Sequence, residues 1–461
     1  MSISNKQYTT DEIMAMDKHL IHAFADLDGL KQDGARTAIT AAEGAYVTDS
    51  DGNRLLDGIG GLWCVNVGHG RQEIIRAIAE QLGQLDYYST FYNLTHPSAA
   101  LLSEKITSLA PGALNHVYFA NSGSVANDSA IRILHHYFNR LGKPNKKKIL
   151  SRIGAYHGST HLAVAMTTPA YRAGWDSADE LVHFLSSPYA YRRPDGMTEA
   201  EFLDFLIDEL SETIEKIGAD NIACFIGEPI MGAGGVIVPP DGYHARSREV
   251  CGRHDIMYIS DEVVTAFGRL GHMFASQDAY GIEPDIITSA KGLTSGYQPL
   301  SATIISDKIH EVISGPDGMF LHGMTYSGHP ACCAAALANI AILEEEDICG
   351  RVRRLGPVFE TALKGLTDLP IVGEVRGSNF MMGIEFVKDQ SSKEIFDAEA
   401  RCGPRVSRHA QDRGLVVRPL AHMAVLSPPL ILTEAEIQTI ADTLRDSIKA
   451  TADDMAREGL L

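Results

Sequence analysis

Forty lysines and arginines against fifty-nine aspartates and glutamates leave this 461-residue chain with a formal net charge of −19, which disfavours broad contact with nucleic acid or an anionic membrane. Its apolar content, 45 %, is enough for a large core spread over two or three compact lobes. The seven cysteines are scattered, odd in number and free of Cys-x-x-Cys spacing, and the histidines form no His-Glu-x-x-His pattern, so reduced cytoplasmic usage without structural zinc or a metalloprotease-type site is expected.

The first thirty residues mix acids, bases and apolar residues without a signal-type apolar core, and the longest apolar candidate, 331–343, is too short to span a bilayer. An opening helix carries Ile13, Met14, Met16 and Leu20 among charges. Short strands near 45–47 and 54–56 then flank Asp51-Gly52-Asn53, a hairpin signal. The glycine-punctuated loop 60–70 holds Trp63, either a core plug or a pocket wall. Residues 1–69 thus form an N-terminal segment expected to pack with a smaller domain and the active site.

From 70 to 330 helical and strand-like periods alternate. After a strand at 116–120 comes a helix with Ala126, Ala130, Ile133, Leu134, Tyr137 and Phe138 on one face. Further strands are predicted at 148–153, 222–227, 256–260, 285–289 and 300–305, with a helix opened by the capping box Thr198-x-x-Glu201. The basic run 143–148 reads as a solvated loop. This alternation predicts an α/β fold, a mostly parallel sheet covered by helices, with ligands at the carboxyl ends of its strands. Residues 331–461 change character: an Ala-rich helix, a β-rich stretch at 371–386, a helix near 397–413, short strands around 415–417 and 424–426, and a last helix opened by Thr433-x-x-Glu436 with Ile437, Ile440, Ala441, Leu444 and Ile448 in a stripe. That is a smaller α+β domain.

Four pieces at the predicted strand ends converge on one chemistry. Asn121-Ser122-Gly123-Ser124, between a strand and a helix, offers backbone N–H groups, hydroxyls and a favourable dipole to a phosphate, though it also describes an ordinary N-cap turn. In Ile259-Ser260-Asp261-Glu262-Val263 extended backbone puts Asp261 and Val263 on one face and Glu262 on the other, so that an acid for a ring nitrogen stands beside an apolar group to pack under the ring. Gly154-Ala155-Tyr156-His157-Gly158 supplies an aromatic to stack above it. Lys291, in Ala290-Lys291-Gly292 at the end of an apolar run, is an amine nucleophile that partial desolvation would help to keep neutral. Cradle, acid, stacking aromatic and amine together describe a site for pyridoxal 5'-phosphate.

On these motifs, with Gly-Leu-Trp-Cys-Val-Asn-Val-Gly at 61–68, Gly-Glu-Pro-Ile-Met-Gly-Ala-Gly-Gly-Val at 227–236 and Thr-Tyr-Ser-Gly-His-Pro at 325–330, the chain resembles the class III, fold-type I pyridoxal-phosphate aminotransferases of the amine:pyruvate, or ω-transaminase, group over nearly its whole length. The resemblance implies that Gly123 and Ser124 hold the phosphate, with Thr325 contributed by the partner subunit of a homodimer or higher oligomer whose active sites lie at the interface. It further implies that Tyr156 and Val263 sandwich the ring beside His157, that Asp261 binds the ring nitrogen, that Glu228 orders the site, and that Lys291 forms the Schiff base. Many relatives carry Glu where this chain has Val125.

The implied reaction is a ping-pong transfer of an amino group from a primary amine, an ω-amino acid or taurine to pyruvate, giving alanine and an aldehyde or ketone. Arg418 matches the position of the arginine that pairs with the keto acid's carboxylate and swings aside for uncharged amines, and Phe24, Trp63, Phe91, Tyr156 and Ala233 would wall the pocket. An aminomutase or decarboxylase of the same fold and a catalytically silent cofactor-binding protein are the alternatives. A nicotinamide site lacks its Gly-x-Gly-x-x-Gly turn.

Overall fold

The computed structural model describes residues 8–33, 37–316 and 318–461. The predicted hairpin forms between β2 (Tyr46–Asp49) and β3 (Arg54–Asp57), with β1 (Ile39–Glu43) antiparallel to β2. The opening helix covers Thr10–Asp17 under a Thr9/Glu12 capping box, but it buries none of its residues and Leu20 lies beyond its end.

Seven strands build the central sheet: β4 (His116–Ala120), β5 (Lys148–Arg152), β6 (Val182–Leu185), β7 (Ile222–Gly227), β8 (Met257–Asp261), β9 (Ile286–Ser289) and β10 (Ser301–Ile305), in the order β4-β10-β9-β8-β7-β5-β6. Only β10 runs against its neighbours, antiparallel to both β4 and β9. Every residue of β7, β8 and β9 is buried, and their apolar residues do not alternate with polar ones: helices cover both faces of the sheet, so neither side of these strands meets water. On one of those faces lies the helix Gly123–Arg140, whose stripe Ala126, Ala130, Ile133, Leu134, Tyr137 and Phe138 is buried as its periodicity predicts. The helix Glu199–Ile217 starts on the predicted capping box, with the Glu201 N–H on Thr198 Oγ1 and the Thr198 N–H on Glu201 Oε2.

The expectation of a solvated loop over 143–148 does not hold at its centre. Lys146 is 1 % exposed; its ammonium donates to the carbonyl of His254 and sits 5.1 Å from the Phe138 ring, while burial lowers its pKa against the pull of Asp255.

A second, antiparallel sheet forms from β11 (Val372–Ser378), β12 (Met381–Phe386), β14 (Arg418–Leu420) and β15 (Met423–Leu426) in the order β11-β12-β15-β14, while β13 (Leu415–Val416) leaves it to pair in parallel with β3. The helices Cys402–Gln411 and Glu434–Arg457 complete this unit, the latter burying the predicted stripe from Ile437 to Ile448. The former begins later than the expected 397, because residues 398–400 form a 3₁₀ turn. Fully buried Arg269 ties three segments together, donating to Asn66 Oδ1 and to the carbonyls of Phe380 and Pro428. Desolvation pulls its pKa down to about 9. Among the described residues no helix is long and apolar enough to cross a membrane.

Candidate active site

Parallel pairing sets the carboxyl ends of β5, β7, β8 and β9 side by side, with Gly227 level with Ser260 and Asp261 level with Thr288. The segments that leave these ends enclose a cavity of about 350 Å³ that Gly123, Ser124, Tyr156, His157, Glu228, Val263, Asp261 and Lys291 all line. Residues spread over 168 positions of sequence in the predicted reading are thereby brought to one place by the sheet register.

Asp261, 4 % exposed, is the most tightly held of them. Its Oδ2 accepts from Asn127 Nδ2 at 2.8 Å and from His157 Nδ1 at 2.7 Å, and its Oδ1 accepts the Val263 N–H at 3.1 Å. Asn127 also donates to the carbonyl of His157, and Thr288 Oγ1 donates to Asn127 Oδ1, which fixes the direction of the amide. Glu262 points away, as the strand alternation predicts, and accepts the N–H groups of Ala275 and Ser276. Glu228 spans the next gap: Oε1 accepts the Tyr156 N–H and Oε2 that of Gly232, while burial raises its pKa and His157 opposes the rise.

At the start of Gly123–Arg140, Ser122 caps the helix by accepting the Val125 N–H on its hydroxyl and the Ala126 N–H on its carbonyl. The Gly123 and Ser124 N–H groups therefore remain as donors at the positive end of an 18-residue helix. The missing side chain of Gly123 matters here, since a Cβ would stand 2.9 Å from a Val263 methyl. Val125 leaves the first turn without an acidic side chain.

Lys291 begins a 3₁₀ turn after β9 with φ +33°, a left-handed conformation that costs about 1–3 kcal/mol in a residue with a Cβ. Its pKa is lowered, chiefly by burial, with Asp261 pulling the other way and Arg418 adding to the depression.

The walls are Trp63, 2 % exposed, with Phe24, Ala233 and Arg418. Trp63 is at once a buried core residue and a cavity wall. Phe91 and Thr325 are not among the lining residues. Phe91 packs beside Gly323, and the Thr325 carbonyl accepts from Tyr87 Oη in the same exposed region. Asn127 and Tyr171 are among the lining residues that escape the sequence reading. Asn127 could have been found as a polar residue on the buried face of a helix. Tyr171, whose hydroxyl donates to the Ala233 carbonyl and whose ring meets Phe24 and Tyr156 edge-on, follows an irregular stretch that carries no periodic signal.

This donor set fits pyridoxal phosphate. One end offers unspent helix N–H groups and a hydroxyl to a phosphate, the other a buried carboxylate with oriented partners to a ring nitrogen, and between them the space over Val263 is kept open by the absence of a Cβ on Gly123. The Nε2 of His157 is buried without a hydrogen-bond partner, and its Nδ1 is committed to Asp261.

The aminotransferase class-III family model matches residues 30–448. A putrescine–pyruvate aminotransferase of Pseudomonas aeruginosa is 40 % identical over 453 residues, covering 98 % of this chain and 98 % of that one. Among solved structures, a thermostable (S)-enantioselective omega-transaminase from Thermomicrobium roseum superposes with a TM-score of 0.93 at 41 % identity, covering 97 % of this chain and 99 % of that one. The omega transaminase from Pseudomonas jessenii in complex with PMP gives 0.93 at 36 % identity, covering 96 % and 98 %.

Proposed function

The chain belongs to the class III aminotransferases, enzymes that use pyridoxal phosphate, and from that premise we propose that it transfers an amino group from a primary amine, an ω-amino acid or taurine to pyruvate. The observation that carries this reading is a single cavity in which Lys291 and Arg418 are joined by the apolar walls Phe24, Trp63 and Tyr156.

When bound, the cofactor supplies a carbonyl that takes up the amine and a conjugated ring that accepts electrons from the substrate carbon. The chain's residues do the rest. Gly123 and Ser124 hold the phosphate, Tyr156 and Val263 enclose the ring, and Asp261 keeps a proton on the ring nitrogen, because a close anion favours the charged form. Asn127 and His157 orient that carboxylate. Lys291 would carry the proton to and from the substrate carbon; its depressed pKa supports the base role, and positioned transfer of this kind is worth about 10²–10⁴ in rate. Glu228 holds the Tyr156 and Gly232 backbone in place. Arg418 pairs with the keto acid's carboxylate and withdraws for an uncharged amine.

We assign Thr325 and Phe91 to the site of a second copy of the chain, with Thr325 reaching its phosphate. Exposed Tyr92, Met319, Leu321 and Tyr326 around them form the kind of apolar surface that a homodimer covers.

The test is the visible spectrum of the purified holoenzyme. An amine donor should discharge the cofactor band and pyruvate should restore it, each in a stoichiometric half-reaction. Arg418→Ala should lower kcat/KM for pyruvate about 10–100-fold, the worth of hydrogen bonds to a charged group, while 1-phenylethylamine is largely spared. If 2-oxoglutarate but not pyruvate restores the band, the acceptor assignment is wrong. If amine is consumed without keto acid, the transaminase reading fails.

A further inference from the structure

Beside the cavity, but not lining it, lies a cluster of four charged side chains whose place in the fold calls for a function. Arg376 on β11 is 7 % exposed and Glu385 on β12 is 1 % exposed. The Arg376 Nη1 donates to Glu374 and to Glu385, each at 2.8 Å, its guanidinium lies 4.5 Å from the centre of the Tyr189 ring, and Tyr189 Oη stands within hydrogen-bonding reach of both carboxylates. Arg192 completes the set on Glu385 Oε1, with His422 Nε2 3.7 Å from the same atom. Two carboxylates thus meet two guanidiniums, and the cluster is close to neutral.

The remaining nitrogens of Arg376 reach outward in two directions. Nε donates to the carbonyl of Gly235 at 2.8 Å, and Nη2 touches Met423 Sδ at 3.0 Å. Gly235 belongs to the turn that brings Ala233 to one wall of the cavity. That turn is fixed independently by the Gly232 N–H on Glu228, by Tyr171 Oη on the Ala233 carbonyl, and by the bridge between Met231 and Ile237. Met423 starts β15, opposite Leu420 of β14, and β14 begins with Arg418. Among the described strands β14 is the sheet's edge and pairs only with β15. Arg376 therefore links the turn that carries Ala233 to the hairpin that carries Arg418, at a point where Met423 packs against Gly235.

We propose that Arg376, braced by Glu385, Glu374 and Tyr189, is a positioning residue for keto-acid recognition: by holding the hairpin against the turn of Ala233 it sets where Arg418 stands in the cavity. The inference rests on the reading of Arg418 as the carboxylate partner. An arginine is needed because one planar fork serves two carboxylates, a carbonyl and a thioether at once; a lysine ammonium keeps the charge and loses that geometry.

The experiment uses the holoenzyme of Arg376→Lys, with Arg418→Ala and the double variant beside it, and follows the two half-reactions separately by the cofactor's absorbance. Arg376→Lys should raise KM for pyruvate about tenfold with kcat little changed, and leave the half-reaction of 1-phenylethylamine within about threefold. Binding of the unreactive carboxylate 3-phenylpropionate, measured by calorimetry, should weaken by the same factor. The double variant should be little worse than Arg418→Ala alone, as expected of two residues acting through one contact. Should Arg376→Lys fail to fold, Tyr189→Phe removes the hydroxyl shared by both carboxylates without changing the charge, and the same shift is expected of it.

If Arg418→Ala raises KM and the brace variant does not, or if both half-reactions of the brace variant fall together, the proposal is overturned while the role of Arg418 stands. If Arg418→Ala itself leaves KM for pyruvate unmoved, the reading of Arg418 is wrong and the brace falls with it.

Discussion

Asn127 shows how much of the site's chemistry depends on a residue with none of its own. Its amide nitrogen supports both Asp261 and the backbone of His157, and Thr288 dictates which way the amide faces. Asn127→Ala should leave the fold intact but remove a buried hydrogen bond to a charged group, worth about 1.5–3 kcal/mol. The expected result is a kcat about tenfold or more lower with the cofactor still bound, measured by steady-state kinetics beside the cofactor's absorbance. Lys291 and Asp261 could be singled out in the sequence because each sits where an apolar run ends, a place that exposes a side chain to a strand-end cavity. Asn127 and Tyr171 could not, since a contact made across 134 residues, such as Asn127 to Asp261, leaves no trace in local spacing.

Among the elements, the start of Gly123–Arg140 has little room for change. Gly123→Ala would push a methyl group against Val263, at a distance of 2.9 Å before relaxation, and move that side chain into the space assigned to the cofactor ring. Cofactor affinity should drop about tenfold or more, seen as loss of the visible band on dialysis, with far-ultraviolet circular dichroism unchanged because alanine suits a helix better than glycine. The buried strands β7, β8 and β9 were readable because each opens on consecutive apolar residues that occupy both faces. Others, among them β6 and β14, were not. β6 has four residues and follows a 3₁₀ turn, and β14 is a three-residue edge strand with a proline at its centre, which removes the donor a central strand would need. The run at 143–148 misled for another reason: a lysine can be buried when its stem finds an aromatic face and its ammonium a carbonyl, and sequence shows neither partner.

At the scale of the whole molecule, several imidazoles are held neutral. His135 donates from Nε2 to the carbonyl of Lys147, and burial together with the Lys147 charge takes its pKa from 6.5 down to about 4; His322 is likewise lowered to about 4. Above 6.5 these groups are neutral in both the folded and unfolded chains and stability does not depend on them. As pH falls below 6.5 the unfolded chain binds the proton first, so stability is lost progressively until about pH 4, by about 1.4 kcal/mol for each unit of pKa difference. Thermal denaturation across that window should show Tm falling with acidification, and His135→Gln, which keeps a donor for the Lys147 carbonyl but does not titrate, should flatten the slope.

The pairing of β13 with β3 sets Leu415 against Leu56, and Arg269 holds Asn66 together with the carbonyls of Phe380 and Pro428. During synthesis the early strand must therefore wait with an unsatisfied edge while most of the chain is made, exposed to unwanted pairing for the whole interval. Arg418 follows β13 by two positions, so the order of translation delays the cavity itself: the large sheet can form first, but the cavity gains its arginine only when the last segment docks.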